Sequence, residues 1–326
     1  MKKGDERTSL LECVASMYFE DGLMQEEIAE QLYISRTRIS RLLKEAIESG
    51  VVEIKVHHAV ERSYELEERI RTLYNLNDVY LVNCRMPSSQ SLLHRVASLA
   101  AAYVDSYDKS HMTLGISWGS TMRETVRCLT PDPATSVSIV QLMGACSEDD
   151  PDGSLYEIMH QVEQLYATKV YTLNAPLHVD STQVRDGLLA DPMVKKSLQI
   201  AAACDMVLTG IGSLDAINHE RSWSSYMNDS MRKEILDKNG VGCLCAHFYD
   251  KDGELLNCQW NQGCIGISLN TLRWVPNVIA VATGAHKATA IKGALCGGYI
   301  NVLVSDSDTA YQLLDESSIT KRRNET

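Results

Sequence analysis

From about residue 76 to residue 315, short β-branched runs alternate with helical stretches, and this alternation limits the fold more than any other feature of the chain. Runs near 79–83, 112–117, 137–143, 169–174, 206–211, 241–249, 278–283 and 300–305 read as strands. Stretches 89–105, 154–167, 193–203, 228–238, 286–296 and 307–315 read as the helices between them. A strand that is followed by a helix returns to the same sheet through a crossover, so its neighbours run parallel and helices cover both faces. The expectation is a doubly wound, mostly parallel α/β domain over 76–320. There is no internal repeat or low-complexity tract, and Lys321–Thr326 reads as a frayed polar tail.

The first 75 residues have a different texture. Stretches 6–19, 25–32 and 35–49 carry apolar residues at helical spacing, and Gly50 is a stop signal. Val51–Val56 alternates as a short strand, a wing or a connector. A helix over 61–74 places Leu66, Ile70 and Leu73 on one side. It fits a linker or dimerisation helix, or one that simply packs on the large domain. The expected division is a helix-turn-helix unit at 1–57, a linker helix at 58–75 and a large domain at 76–320.

Residues 25–43 carry the sharpest local signal. Ile28, Leu32, Ile34, Ile39 and Leu42 can share one small core, and Ala29 is small where two helices must cross. Ser35 is a good N-cap for the next helix. That helix turns Arg36, Thr37, Ser40, Arg41 and Lys44 away from Ile39, Leu42 and Leu43, with Arg38 beside them. In a helix-turn-helix such a helix enters the major groove, where arginine reads guanine or clamps phosphate. Arg36, Thr37, Arg38, Ser40, Arg41 and Lys44 are therefore the candidate DNA-binding residues; a solvated basic helix is the plainer reading. The turn departs from the common pattern, because Tyr33 stands where glycine often supplies a positive φ.

Net charge limits how DNA is held. The 326 residues carry −12, and residues 1–56 hold eight Lys/Arg against eleven Asp/Glu. Any DNA contact must sit on a small basic face of an acidic molecule. Apolar residues make up 44 %, yet no run approaches the roughly 18–20 residues of a bilayer span. The Met-Lys-Lys-Gly start has no signal-type apolar core, and the ten cysteines form no tight framework. A cytoplasmic protein with no membrane partner is expected.

In a parallel sheet, ligands bind beyond the carboxyl ends of the strands. Trp118-Gly119-Ser120-Thr121 follows such an end and opens a helix. Gly119 lets the backbone approach an anion, helix amides favour phosphate, and Ser117, Ser120 and Thr121 add hydroxyls. An ordinary helix cap explains the same residues equally well. Lys287 follows Thr283-Gly284 within the first helical turn, where a cation opposes the helix dipole. A bound phosphate accounts for that placement; so does a lysine that snorkels to water. Asp250 closes run 241–249 and can accept sugar hydroxyls, while Asp252 suits an Asx turn. Gly210-Ile211-Gly212 and Asn174-Ala175-Pro176 would shape the pocket through backbone, and Gln141 reads as structural. Cys243, Cys245, His247, Cys258 and Cys264 include zinc-type ligands, but the usual knuckle spacing is missing and buried core cysteines explain them better. No metal and no cofactor are expected.

Taken together, these motifs resemble the SorC family of bacterial sugar-responsive repressors and activators. The resemblance rests on Gln25-x-x-Ile-Ala-x-x-Leu-x-Ile-Ser-x-x-x-Ile-x-Arg-Leu-Leu, then Gly115-Ile-Ser-Trp-Gly-Ser-Thr, Gln141-Leu-Met-Gly, Leu173-Asn-Ala-Pro-Leu, Gly210-Ile-Gly, Phe248-Tyr-Asp-x-Asp-Gly and Gly284-x-x-Lys. They occur in order over nearly the whole chain. The resemblance implies a winged helix-turn-helix, an effector domain related to sugar-phosphate isomerases, and a homodimer or homotetramer. It also implies that the lysine at 287 meets the effector. The expected function is transcription regulation, with operator DNA as one partner and a phosphorylated sugar as the other. The expected effector residues are Ser117, Gly119, Ser120, Thr121, Asp250 and Lys287. An isomerase-like enzyme with an accessory helical domain is the alternative. It needs a general base beside the phosphate; no acid–base pair stands out near Trp118–Thr121 or Lys287, although Asp250 could serve, so a non-enzymatic sensor is favoured and the enzyme stays open.

Overall fold

A computed structural model describes residues 3–52, 61–83, 89–146, 155–166, 168–214 and 226–314. The chain forms two compact units, residues 1–59 and 60–326.

The first unit is helical. Helix α1 spans Lys3–Phe19, α2 spans Gln25–Gln31 and α3 spans Arg36–Glu48. Ile28, Ile39, Leu42, Leu43 and Ala46 pack with Leu11, Val14 and Ala15 of α1, and Leu32 and Ile34 lie against this core. The Glu27 carboxylate accepts the Met24 N–H at 2.7 Å before α2. Ser35 Oγ accepts the Arg38 N–H at 3.3 Å and caps α3 as its sequence requires. The turn between the two is a Schellman closure: Ile34 N–H donates to Ala29 O and Tyr33 N–H to Glu30 O. Tyr33 accordingly takes a φ of 52° in the left-handed region. Val51 and Val52 form a bend, and the rest of the expected strand 51–56 lies outside the described residues.

The second unit is α/β. Helix α4 (Tyr64–Tyr74) leads into β1 (Asp78–Val82), α5 (Ser89–Asp105), β2 (Thr113–Ile116), α6 (Ser120–Cys128) and β3 (Ser138–Gln141). Next come α7 (Leu155–Tyr166), β4 (Lys169–Tyr171), α8 (Thr182–Ala190), α9 (Pro192–Ala202), β5 (Met206–Gly210) and β6 (Gly212–Ser213). They are followed by α10 (Asp229–Asp237), β7 (Gly240–Leu244), β8 (His247–Asp250), α11 (Gln259–Gly263) and α12 (Leu269–Leu272). The last elements are β9 (Asn277–Val281), α13 (Ala288–Cys296), β10 (Val302–Asp306) and α14 (Ser307–Leu314). Seven strands form a parallel sheet in the order β1-β10-β9-β5-β2-β3-β4. Leu81, Leu114, Ile139, Leu208, Ile279 and Leu303 of these strands are fully buried, as in a sheet covered on both faces, while Val170 and Tyr171 of edge strand β4 are only partly so.

Two features add to the sequence expectation: one decides between its alternatives for α4 packing, the other departs from it. Helix α4 buries Leu66 and Ile70 in the core of the second unit. Its N-terminal side is fixed by Glu67, which accepts two bonds from Arg62 at 2.9 and 2.7 Å and one from Leu81 N–H at 2.8 Å. Leu66 and Ile70 are therefore occupied within their own unit, which is the simple packing on the large domain that the sequence also allowed, while Leu73 is only partly buried. Run 241–249 is not one parallel strand but an antiparallel hairpin, β7–β8, in a separate three-stranded sheet with β6. Cys245 and Ala246 make its turn with φ of 45° and 64°, the two positive values of a type I′ turn. Neither residue favours that conformation. The turn is buried, and its carbonyls are held: Trp260 Nε1 donates to Ala246 O at 2.7 Å, and His247 Nδ1 lies 2.9 Å from Cys245 O.

Candidate functional site

The strand order reverses between β2 and β5. From β2 the chain moves outward to β3 and β4; from β5 it moves the other way to β9 and β10. At such a switch point the following loops part and leave a crevice at the carboxyl ends of the strands. A cavity occupies this crevice. It is lined by Ser117–Met122 after β2, Thr209–Gly212 at the end of β5, Met143 after β3, the hairpin residues Cys243, Cys245 and Ala246, and Lys287 after β9.

Each wall has a local cause. Ser117 N–H donates to Leu208 O at 3.1 Å, so the β2–β5 ladder runs to the cavity floor. Trp118 Nε1 donates to Gly144 O at 3.0 Å and is buried, which fixes the loop. Gly119 then turns at φ 128°, a value that L side chains rarely adopt, and N-caps α6. Gly119 has no side chain to cap α6, and the first residues of that helix, Ser120, Thr121 and Met122, line the cavity at the positive end of its dipole. Thr209 is fully buried, its hydroxyl 3.6 Å from Cys245 Sγ.

Lys287 is partly buried and donates to Ile211 O at 3.1 Å. The loop that delivers it is anchored by Asp306 at the end of β10. This fully buried carboxylate accepts Gly284 N–H at 2.8 Å, and Thr309 N–H and Oγ1 at 2.8 Å each. Asp306 was not singled out by sequence, although an Asp at a strand end followed by Ser-Asp-Thr is an N-cap signal.

The structure thus brings together Ser117, Gly119, Ser120, Thr121 and Lys287, with Gly210-Ile211-Gly212 as backbone walls. It does not bring Asp250 to them. The hairpin reverses at Cys245–Ala246 and carries Asp250 to its far end, opposite Gly240. There Asp250 Oδ1 accepts Asp252 N–H at 3.0 Å and Glu254 N–H at 2.9 Å, which makes it a turn residue. Asn174-Ala175-Pro176 also lies elsewhere, lining a neighbouring hollow with Tyr156, Thr172 and Tyr226. Strand β4 stands two places from β2, about 10 Å away at the usual strand spacing. Gln141 is structural: its amide donates to Met143 O at 2.7 Å and accepts Leu173 N–H at 2.9 Å. Sequence reasoning did not point to Met143, Thr209 or Ala246 as cavity lining; plain apolar and hydroxyl residues give no such signal.

In the first unit, Arg36, Thr37, Arg38, Ser40, Arg41 and Lys44 are all exposed. With 3.6 residues per turn, Thr37, Arg41 and Lys44 centre the face opposite Ile39, Leu42 and Leu43, and Arg36 and Arg38 flank it on either side. Arg36 Nε bonds Glu26 at 2.9 Å and Lys44 lies 3.6 Å from Glu48, both exposed pairs of small net worth. Arg7 pairs with Glu45 and ties α1 to α3 beneath.

The family model described as "Putative sugar-binding domain" matches residues 58–315, and that for sigma-70 region 4 matches residues 14–49. The chain is 29 % identical over 304 residues to the deoxyribonucleoside regulator of Bacillus subtilis, covering 93 % of this chain and 96 % of that protein. It is 28 % identical over 309 residues to the sorbitol operon regulator of Klebsiella pneumoniae, covering 92 % of this chain and 96 % of that one. The crystal structure of full-length SorC from Klebsiella pneumoniae superposes with a TM-score of 0.71 at 26 % identity, over 95 % of this chain and 100 % of that chain. No described helix is long and apolar enough to cross a membrane.

Proposed function

The chain belongs to the SorC family of transcription regulators that join a helix-turn-helix to a sugar-binding domain, and from that premise we propose that its effector is a phosphorylated sugar held in the β2–β5 crevice. One observation carries the proposal: Lys287 and the first turn of α6, which opens on Gly119, line one cavity. In this reading the phosphate lies against Gly119, Ser120 and Thr121 and takes Lys287 from the Ile211 carbonyl. Charge-assisted bonds then supply much of the affinity.

The cavity has little chemistry beyond binding. Among its described lining residues there is no Asp, Glu or His to act as general base. Burial pushes the Cys245 thiol up to about 12, so it stays protonated. We therefore read the unit as a sensor and not as an isomerase. Effector binding shifts operator affinity by its differential affinity for the two conformations of the protein. Because one helix-turn-helix makes a small contact, the operator-bound form is read as a homodimer or homotetramer on paired half-sites.

Calorimetry with a panel of sugars, each tested phosphorylated and free, decides the effector class. The expected result is tighter binding of a phosphorylated member, with the same compound altering operator affinity in a gel shift. Tighter binding of the free sugar overturns the phosphate assignment. Light scattering that finds only monomer, with and without operator, overturns the assembly.

A further inference from the structure

Helices α5 and α6 pack against each other on the second unit, and at that contact three metal-type ligands converge. His94 Nδ1 lies 2.6 Å from Glu124 Oε1 and 3.9 Å from Cys128 Sγ. All three ligand atoms lie within 4.8 Å of one another. Glu124 and Cys128 are four residues apart, so they stand on one face of α6 a turn apart, the spacing that lets a helix offer two ligands to one ion. His94 approaches from α5, and the same ring nitrogen points at both. Cys128 is the last residue of α6, where the helix dipole favours a cation. The group stands apart from the effector cavity, since none of its members lines it.

From this convergence we infer that His94, Glu124 and Cys128 form a zinc-binding site between α5 and α6. The donor set of imidazole, carboxylate and thiol suits zinc and its borderline-soft neighbours, and is wrong for magnesium or calcium, which take oxygen. Zinc bonds of about 2.0–2.3 Å in a tetrahedron place ligand atoms about 3.3–3.7 Å apart. The ion enters by separating His94 from Glu124 by about 0.7 Å and drawing Cys128 slightly inward, with the thiol proton released to solvent. Exposed His94 leaves the fourth position open to water, the mark of an exchangeable site and not of a closed structural one.

The test uses the full chain, stripped with chelator and titrated with Co(II), whose bond to a thiolate gives a near-ultraviolet charge-transfer band. One equivalent per chain is expected, displaced by Zn(II). Cys128→Ser should abolish the band, and Glu124→Gln should weaken binding at least tenfold. Cys13→Ser, at an exposed thiol in the other unit, should leave it unchanged. His94→Ala, at a half-exposed position, should also weaken binding at least tenfold, and it serves if Cys128→Ser misfolds. Absence of a thiolate band in the wild type, a band that survives Cys128→Ser, or unchanged affinity in His94→Ala overturns the site and leaves a plain surface His–Glu pair.

Discussion

The Lys287 ammonium donates to the backbone carbonyl of Ile211 at 3.1 Å, and both residues line the cavity. The cation is partly desolvated and held ready, so a phosphate that replaces the carbonyl gains a charged partner without paying to order it. Lys287→Met should weaken binding of the phosphorylated effector by about 1.5–3 kcal/mol and leave operator affinity without effector nearly unchanged. Asp250→Asn, at the far end of the hairpin, should leave effector affinity unchanged. Calorimetry on both variants checks the pair, and indifference to Lys287 removes it from the site.

Arg41 sits at the centre of the exposed face of α3. Arg41→Ala should cost about 1–3 kcal/mol at the specific operator if it reads guanine. Lys196→Ala, an exposed lysine of the second unit, should cost nothing. Arg36→Ala should cost less than Arg41→Ala, because Arg36 flanks the face and bonds Glu26. Gel-shift titration at fixed salt orders the three, and equal negligible effects reject the recognition face.

Tyr33 holds a left-handed φ with a side chain that is 94 % exposed, so nothing packs to offset the strain. Tyr33→Gly should stabilise the helical unit by about 0.5–1 kcal/mol, after the greater freedom of unfolded glycine is subtracted. Thermal melting gives the sign, and a fall in melting temperature would show that Tyr33 makes a contact worth more than the strain.

His178 and His247 are both buried, and burial holds both imidazoles below the ordinary value. His178 stacks on Trp260 at 4.6 Å, and His247 bonds the strained turn. The unfolded chain then binds protons that the folded chain refuses. Their contribution is complete above about pH 6.5 and is lost as pH falls below it toward the folded values, at up to about 1.4 kcal/mol per pH unit for each histidine. Chemical denaturation from pH 8 to pH 5 should show this fall, and His178→Gln should make the slope shallower. A slope unaltered by His178→Gln and His247→Gln assigns the acid sensitivity to carboxylates instead.

The parts of the cavity lining that were legible in the sequence are those written into local chemistry. Gly119 before Ser-Thr and Lys287 after Thr-Gly both mark strand-to-helix turns, and a parallel sheet sends all such turns to one end. Asp250 was misplaced because Cys245-Ala246 carries no turn signal. An Asn-Gly pair would have announced the hairpin; here Trp260 and His247, supplied by tertiary packing, hold two unfavourable φ values instead. The helices α8, α11 and α12 were also unmarked, the last two being too short for periodicity to register. His94 and Glu124 are thirty positions apart, and only the docking of α5 on α6 makes them neighbours.

The seam between β2 and β5 has a consequence for how such a protein diversifies. The residues that would touch a ligand hang from separate strands, and the ladder between β2 and β5 is made by backbone. A substitution in one loop therefore leaves the load-carrying frame and the other loops where they were. The frame behaves as a socket with interchangeable jaws: cargo preference can drift one jaw at a time while the sheet beneath keeps its register.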